Sequence, residues 1–460
     1  MAFKKDRPHF IYRLVRALMK GGLGIFFQRL EVRHPERLPA TGPAIFVANH
    51  PNSIMDGMIL WAVLERKVNY IAHARLFRPG VMHWLLRRLG VIPVYRRQDD
   101  PDKMEQNVAT FRAAYEALEH GETIGIFPEG TSDMLRKVKQ VKTGAARIVL
   151  ETESRNGYDL GVKLIPLGLH FFSRSHFRSR VLINVGEPVP LVKYFTQYHD
   201  DAAAGVNALT REIQTRLEQL TVNIQDEELE EFVRALEQIY REELLAENAA
   251  RPVNDIAAFF VSQKIAEGVQ YYQTHHPATL AAIREQVTSY QRKLARLRLR
   301  DELLRDTRPS RRAWQEYGKI AVLALLGFPF ALYGIINNFL PYHLAERAAK
   351  KFMEERTKIL TALLFAGGLA FLFFYIAQTA IVARFFGGWW ATAYAASLPL
   401  SGFFALAYIK RMRGLSERLS FSFFLFTNKH LITRLRLERK RLIKALEAVR
   451  AEFLALRRAT

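Results

Sequence analysis

The sequence predicts an α/β domain, followed by a helical segment and a C-terminal membrane-embedded helical region. Three observations carry that reading. Between residues 44 and 185, apolar runs of strand length alternate with helical patterns. Residues 200 to 310 are mixed in charge, with apolar residues recurring at helical spacing. Three uncharged stretches follow, Ile320 to Leu340, Ile359 to Ala383 and Phe385 to Ile409. Each is near the ~20 residues that cross a bilayer core of roughly 30 Å.

Composition limits what such a chain does. Its 460 residues leave room for about two or three domains. There is no cysteine, which excludes disulfides, thiolate catalysis and zinc-thiolate sites. A formal charge of +22 suits nucleic acid or an anionic membrane equally well. The apolar fraction of 49% favours the membrane, and no zinc-finger spacing, RNA-binding aromatic signature or Arg-rich tail favours nucleic acid.

Residues 8 to 28 do not read as a cleavable signal peptide, because Arg13, Arg16 and Lys20 interrupt the apolar run. Those charges fall on one side of a helix, with Phe10, Ile11, Leu14, Val15 and Leu18 on the other. Such a helix can lie in the headgroup plane of an anionic leaflet, or pack on the domain's own core.

Ala44 to Ala48 is then a buried strand, and Pro51 and Asn52 are turn formers. Ser53, followed three residues later by Asp56, is a helix N-cap signature. His50 thus sits in a strand-to-helix turn, with Asp56 one turn away. A carboxylate holding an imidazole in one tautomer makes a general base for activating a hydroxyl. The alternative is a capped turn with a hydrogen-bonded histidine. Further strands are expected at Val68 to Ala72, Gly90 to Tyr95, Thr123 to Phe127, Lys163 to Leu169 and Val181 to Val185. Arg96 and Arg97 close the second of these, and Arg is shaped to grip a phosphate bidentately. Pro128-Glu129-Gly130-Thr131 places a carboxylate and flexible backbone at a strand's C-terminal end, where open α/β sheets bind ligands.

Four blocks in order resemble the glycerolipid acyltransferase family. They are Asn49-His50 with Asp56, Gly90 through Arg96, Phe127-Pro128-Glu129-Gly130-Thr131, and Ile165-Pro166-Leu167-Gly168. The resemblance covers roughly residues 35 to 195. Two departures stand out: five residues separate His50 from Asp56 where the family has four, and Pro93 stands where the family usually has Phe. The longer spacing, Lys142 to Arg147 and Phe177 to Arg180 look like the glycerol-3-phosphate and dihydroxyacetone-phosphate acyltransferase subgroup.

The resemblance implies a mixed sheet flanked by helices and direct transfer of a fatty acyl group from a thioester to glycerol-3-phosphate or dihydroxyacetone phosphate. Lysophosphatidate is the alternative acceptor, and a non-catalytic lipid-binding scaffold the alternative of another class. In the implied mechanism His50 is the base and Asp56 orients it. Arg96 binds the acceptor phosphate, and Glu129, Gly130 and Thr131 shape the acceptor site. Lys142, Arg178 and Arg180 are further phosphate ligands by charge. Backbone amides near Pro166 or in the His50 turn would position the donor carbonyl. The expected partners are acyl-CoA or acyl carrier protein, glycerol phosphate and anionic lipid, with no nucleic acid, metal or cofactor. The compact motifs, with no organelle-targeting stretch, set the expectation of a bacterial inner membrane with the catalytic domain cytoplasmic.

Downstream, Glu227 to Glu231 reads as a solvated acidic face, and Lys293, Arg296, Arg298 and Arg300 as a basic helix face. His275-His276 has no metal spacing around it. Residues 410 to 460 hold 14 Lys/Arg and 4 Glu, a net +10, on long helices. The positive-inside rule puts this tail and the Arg347 to Lys358 connector on one face. Ile320 to Leu340 must then enter and leave on the same face. Gly327, Pro329, Gly334, Asn337, Asn338 and Pro341 are expected to break its helix. The expected division is 1–34 surface helix, 35–200 catalytic domain, 201–318 charged helices, 319–409 re-entrant segment plus two-helix hairpin, and 410–460 basic tail.

Overall fold

A computed structural model describes the chain except residues 1–8, 78, 134, 175–176, 225, 248–254, 298, 306–310, 353–357 and 460. It divides into two compact units. The first holds residues 1–227 with returns of chain at 254–263 and 355–364.

In the first unit, α1 (Phe10–Phe26) leads into β1 (Arg29–Arg33), β2 (Ala44–Ala48), α2 (Ile54–Val63), β3 (Val68–His73), α3 (Val81–Arg88) and β4 (Ile92–Val94). Then come α4 (Asn107–Glu119), β5 (Thr123–Ile126), α5 (Gly144–Arg155), β6 (Lys163–Phe171), β7 (Arg180–Val185), α6 (Val192–Asp200) and α7 (Ala202–Leu220). The seven strands form one mixed sheet in the order β1-β7-β6-β2-β5-β3-β4. Strands β2 to β6 are mutually parallel, while β7 runs antiparallel to β6 and carries β1 parallel to itself. Five carboxyl ends therefore share one edge of the sheet.

Strand β2 is apolar throughout because helices cover both of its faces. With side chains alternating at period 2, Phe46 and Ala48 enter one core with Ile165, Leu167 and Met55 of α2. Ile45 and Val47 enter the other with Ile124, Leu164 and the α5 residues Ala145 and Ile148. One core also takes in α1 through Tyr12, Leu23 and Phe26. Tyr12 stacks edge-on against Trp61 at 5.0 Å, and Arg16 donates to the Leu64 and Glu65 carbonyls. One face of this helix thus packs on the domain's own core, while Phe10, Leu14, Leu18 and Ile25 remain exposed. All six expected strands are present. Strand β1 was not expected, since Arg29-Leu30-Glu31-Val32-Arg33 has three charges in five residues.

The second unit contains α8 (Glu227–Glu247), α9 (Asp255–His275, which begins in the first unit), α10 (Pro277–Arg296), α11 (Asp301–Arg305), α12 (Arg311–Phe352), α13 (Ile359–Phe386), α14 (Gly388–Thr427) and α15 (Lys429–Ala459). The acidic run is not wholly solvated: Glu230 is buried and pairs with Arg234 one turn on. Of the basic face, Lys293 pairs with Glu438 and Arg298 lies outside the described residues. Arg439 ties α15 to α11 and α8 through Asp301 and Glu243.

Three helices are long and apolar enough to cross a membrane, at Ala321–Ala349, Ile359–Phe386 and Gly388–Ser416. The break expected in Ile320 to Leu340 is absent, for α12 runs continuously through Pro329 and Pro341. Partners on α13 and α14 replace what the helix lacks. Gly334 lets α12 touch the Ser401 backbone, and Asn338 donates to the Gly334 and Leu398 carbonyls while accepting from Tyr375. The contacts Ala324 with Tyr408, Gly334 with Ser401 and Asn338 with Leu398 make α12 and α14 antiparallel.

Candidate active site

The site forms where β2 and β5 end at the shared carboxyl edge. His50 lies two residues beyond β2, and its Nδ1 is 2.9 Å from Asp56 Oδ2. The same oxygen accepts the Asn52 N–H at 2.7 Å. Asp56 is fully buried, which raises its pKa, and bonds from His50 and Asn52 with the charge of Arg174 oppose that shift. With Nδ1 donating to the carboxylate, Nε2 keeps the lone pair a base needs. Between His50 and Asp56, Ser53 takes a positive φ of 52°. Ser53 occupies the N-cap position but its hydroxyl makes no cap bond, so the expected capping box is not formed. Asp56 turns back to the histidine loop instead.

Glu129 fastens the second loop to the first. One carboxylate oxygen accepts the His50 N–H and the other the Lys139 N–H, both at 3.0 Å. Burial pushes its pKa up to about 7, and the two amides hold it from rising further. Phe127 stacks on the His50 ring at 4.3 Å, and Asn49 pairs by both side-chain groups with the Leu169 backbone of β6. Gly130 has φ 71°, a left-handed conformation that favours glycine, and the end of the Lys142 side chain folds over it.

The space beside His50 is lined by Glu129, Arg136, Lys137, His170 and Arg174. The three cations were not singled out from the sequence. They come from the loops after β5 and β6, 38 residues apart, and no periodicity or short motif links them. Arg174 donates to the Asp133 and Leu135 carbonyls, which fixes one loop against the other. His170 is buried and held neutral, its pKa pushed down to about 3 by burial and by Arg136 and Arg174.

Several expected ligands lie elsewhere. Arg96 follows β4, three strand spacings from β2, or about 14 Å at ~4.8 Å per strand. There it lies 3.7 Å from Asp99 and does not line the space at His50. Arg180 pairs with the buried Asp255 and covers the Phe172 ring, and Arg178 donates to the Ile25 carbonyl. Lys142 folds over Gly130, and Thr131 accepts from Lys139. Pro166 is inside the sheet opposite Val47, three residues or about 10 Å short of the site's edge. It has no N–H, and the His50 and Asn52 amides are already used, so none of these three serves an oxyanion.

Residues 29–170 match the family model described as Acyltransferase. This segment is an acyltransferase domain. Over 391 residues the chain is 22% identical to an uncharacterized acyltransferase of Schizosaccharomyces pombe, covering 66% of this chain and 56% of that one. It is 31% identical over 136 residues to glycerol-3-phosphate O-acyltransferase 2 of Saccharomyces cerevisiae, covering 29% and 18%. A chloroplastic 1-acyl-sn-glycerol-3-phosphate acyltransferase of Arabidopsis thaliana is 26% identical over 169 residues, covering 36% and 42%. The chain thus spans about half or less of these relatives' lengths. His50, Asp56 and Glu129 all lie inside the acyltransferase domain; Arg174 lies four residues past the matched segment.

Proposed function

We propose that the chain is a membrane-bound enzyme that moves a fatty acyl group from a thioester to a hydroxyl of glycerol-3-phosphate or dihydroxyacetone phosphate. The observation that carries this is a histidine and a buried carboxylate 2.9 Å apart, beside a space lined by three cations. His50 Nε2 takes the hydroxyl proton as that oxygen attacks the thioester carbonyl. Collapse of the tetrahedral adduct expels the thiolate, which recovers the proton from His50. The ester and a free thiol are the products, and no acyl-enzyme forms. Arg136, Lys137 and Arg174 hold the acceptor's phosphate through charge-assisted bonds. The donor is acyl-CoA or acyl carrier protein, and the setting a bacterial inner membrane with the acyltransferase domain cytoplasmic.

The yeast glycerol-3-phosphate relative and the longer His50 to Asp56 spacing support the first acylation. The Arabidopsis relative supports lysophosphatidate as the second reading. Purified full-length protein in anionic vesicles, given radiolabelled acyl-CoA and each acceptor in turn, separates them. Turnover with glycerol-3-phosphate or dihydroxyacetone phosphate well above that with lysophosphatidate is expected. The reverse order would move the assignment to the second acylation, and transfer to none would leave a lipid-binding scaffold.

A further inference from the structure

The turn that carries His50 buries an amide that the dyad does not use. Asn52 is 0% exposed, yet neither Nδ2 nor Oδ1 of its side chain has a hydrogen-bond partner among the described residues. Burying an amide that bonds nothing is unfavourable, so the group calls for a role. Turn propensity is not that role. Asparagine suits turns because it tolerates positive φ or bonds nearby backbone, and Asn52 does neither. The positive φ of this turn falls on Ser53. The Asn52 main chain is held otherwise: its N–H donates to Asp56 Oδ2 at 2.7 Å, and its carbonyl accepts the Met55 N–H at 3.2 Å.

A matching acceptor lies beside it. Asp56 Oδ2 accepts from both His50 Nδ1 and the Asn52 N–H, while Oδ1 is buried with no partner among the described residues. Because the Asn52 main chain already touches one oxygen of this carboxylate, its side-chain amide is within a rotation, or one enclosed water, of the other. The other groups that act on Asp56 are charged: His50, Arg174 from the loop after β6 and Glu129 from the loop after β5. Burial pushes the Asp56 pKa up, and every donor bond to the carboxylate pulls it back.

We infer that Asn52 is a positioning residue: its side-chain amide donates to Asp56 Oδ1, directly or through one enclosed water. Oδ2 then orients the imidazole while Oδ1 is held by the amide, so the buried carboxylate stays ionised and fixed against His50. The consequence for turnover rests on the acyl-transfer reading; the bond does not.

Asn52→Leu, of similar size, removes the donor, and Asn52→Ser keeps a hydroxyl in its place. Full-length protein in vesicles is assayed with acyl-CoA and glycerol-3-phosphate across pH. Losing a donor favours the protonated carboxyl, so in Asn52→Leu the acid limb of the kcat profile should move up by about one to two pH units. On that limb kcat should fall about 10- to 100-fold, and the loss should shrink as pH rises, with both KM values within about twofold of wild type. Asn52→Ser should recover most of the shift. The infrared band of protonated Asp56, assigned by its loss in Asp56→Asn, should appear at correspondingly higher pH in Asn52→Leu. If Asn52→Leu does not fold, Asn52→Ala is compared with Asn52→Ser, which differs from it by the hydroxyl alone, and the same shift is expected. A loss of kcat that is equal at every pH, an unmoved infrared titration, or a serine variant as impaired as the apolar one would overturn the inference. The infrared titration needs no turnover, so failure of the acyl-transfer reading and failure of the Asn52 bond are told apart.

Discussion

At the scale of single residues, the dyad was legible because it is local: one turn separates His50 from Asp56, and a cap signature marks the helix start. The cations proposed to hold the phosphate were not legible, because Arg136 and Arg174 come to one space only through the register of β5 and β6 against β2. The two sets of cations make opposite predictions. Arg174→Ala should raise the KM for the phosphate acceptor about 10- to 100-fold, as loss of a bond worth ~1.5–3 kcal/mol requires, and leave the thioester KM unchanged. Arg96→Ala should change the acceptor KM less; a larger effect there would return the phosphate to the end of β4. Glu129 makes a prediction about pH. Burial raises its pKa from 4.5 to about 7. Between those values the folded domain keeps a proton that the unfolded chain has released, so its contribution to stability falls as pH rises through that window. Glu129→Gln loses one of two amide partners but also loses this dependence. Its stability deficit, from thermal unfolding at pH 5 and pH 8, should shrink with rising pH by on the order of 3 kcal/mol. A deficit that grows would mean the ionised carboxylate is the better partner for the two amides.

At the scale of elements, strands covered on both faces announced themselves as continuous apolar runs, and β2 is buried at all five positions. Edge strand β1 did not, because only Leu30 and Val32 pack on a core while three charged side chains alternate with them. Helix α12 misled in the other direction. Its glycines and asparagines read as breakers in isolation, yet they are the surface that α14 packs on. A Cβ on Gly334 would sit 2.2 Å from the Ser401 carbonyl oxygen, whereas Gly368 of α13 has nothing within 4 Å. Gly334→Leu should therefore destabilise the detergent-solubilised protein by about 1–3 kcal/mol, and Gly368→Leu should not. Equal melting temperatures for the two variants would remove the close approach of α12 and α14.

At the scale of the whole molecule, chain direction constrains the membrane topology. Three consecutive straight spans would run the first and third helices parallel, but α12 and α14 are antiparallel. The start of α13 also belongs to the first unit, where Leu360 is buried in the core beside α1. The antiparallel pair excludes three straight alternating spans, and the charge bias of the connector and tail favours a hairpin of α13 and α14. Of the connector's charges, Arg356 lies outside the described residues. Single cysteines at Ala348 and Ala455 should then resist an impermeant thiol reagent in intact cells, and one at Gly388 should react. Labelling of Ala455→Cys from outside would contradict the hairpin. The central claim, that His50 is the base of an acyl transfer, is tested most directly on the intact protein in anionic vesicles. With acyl-CoA and glycerol-3-phosphate, His50→Ala should cut ester formation by about 10²–10⁴-fold while its unfolding temperature stays at the wild-type value. Turnover within twofold of wild type would contradict the account.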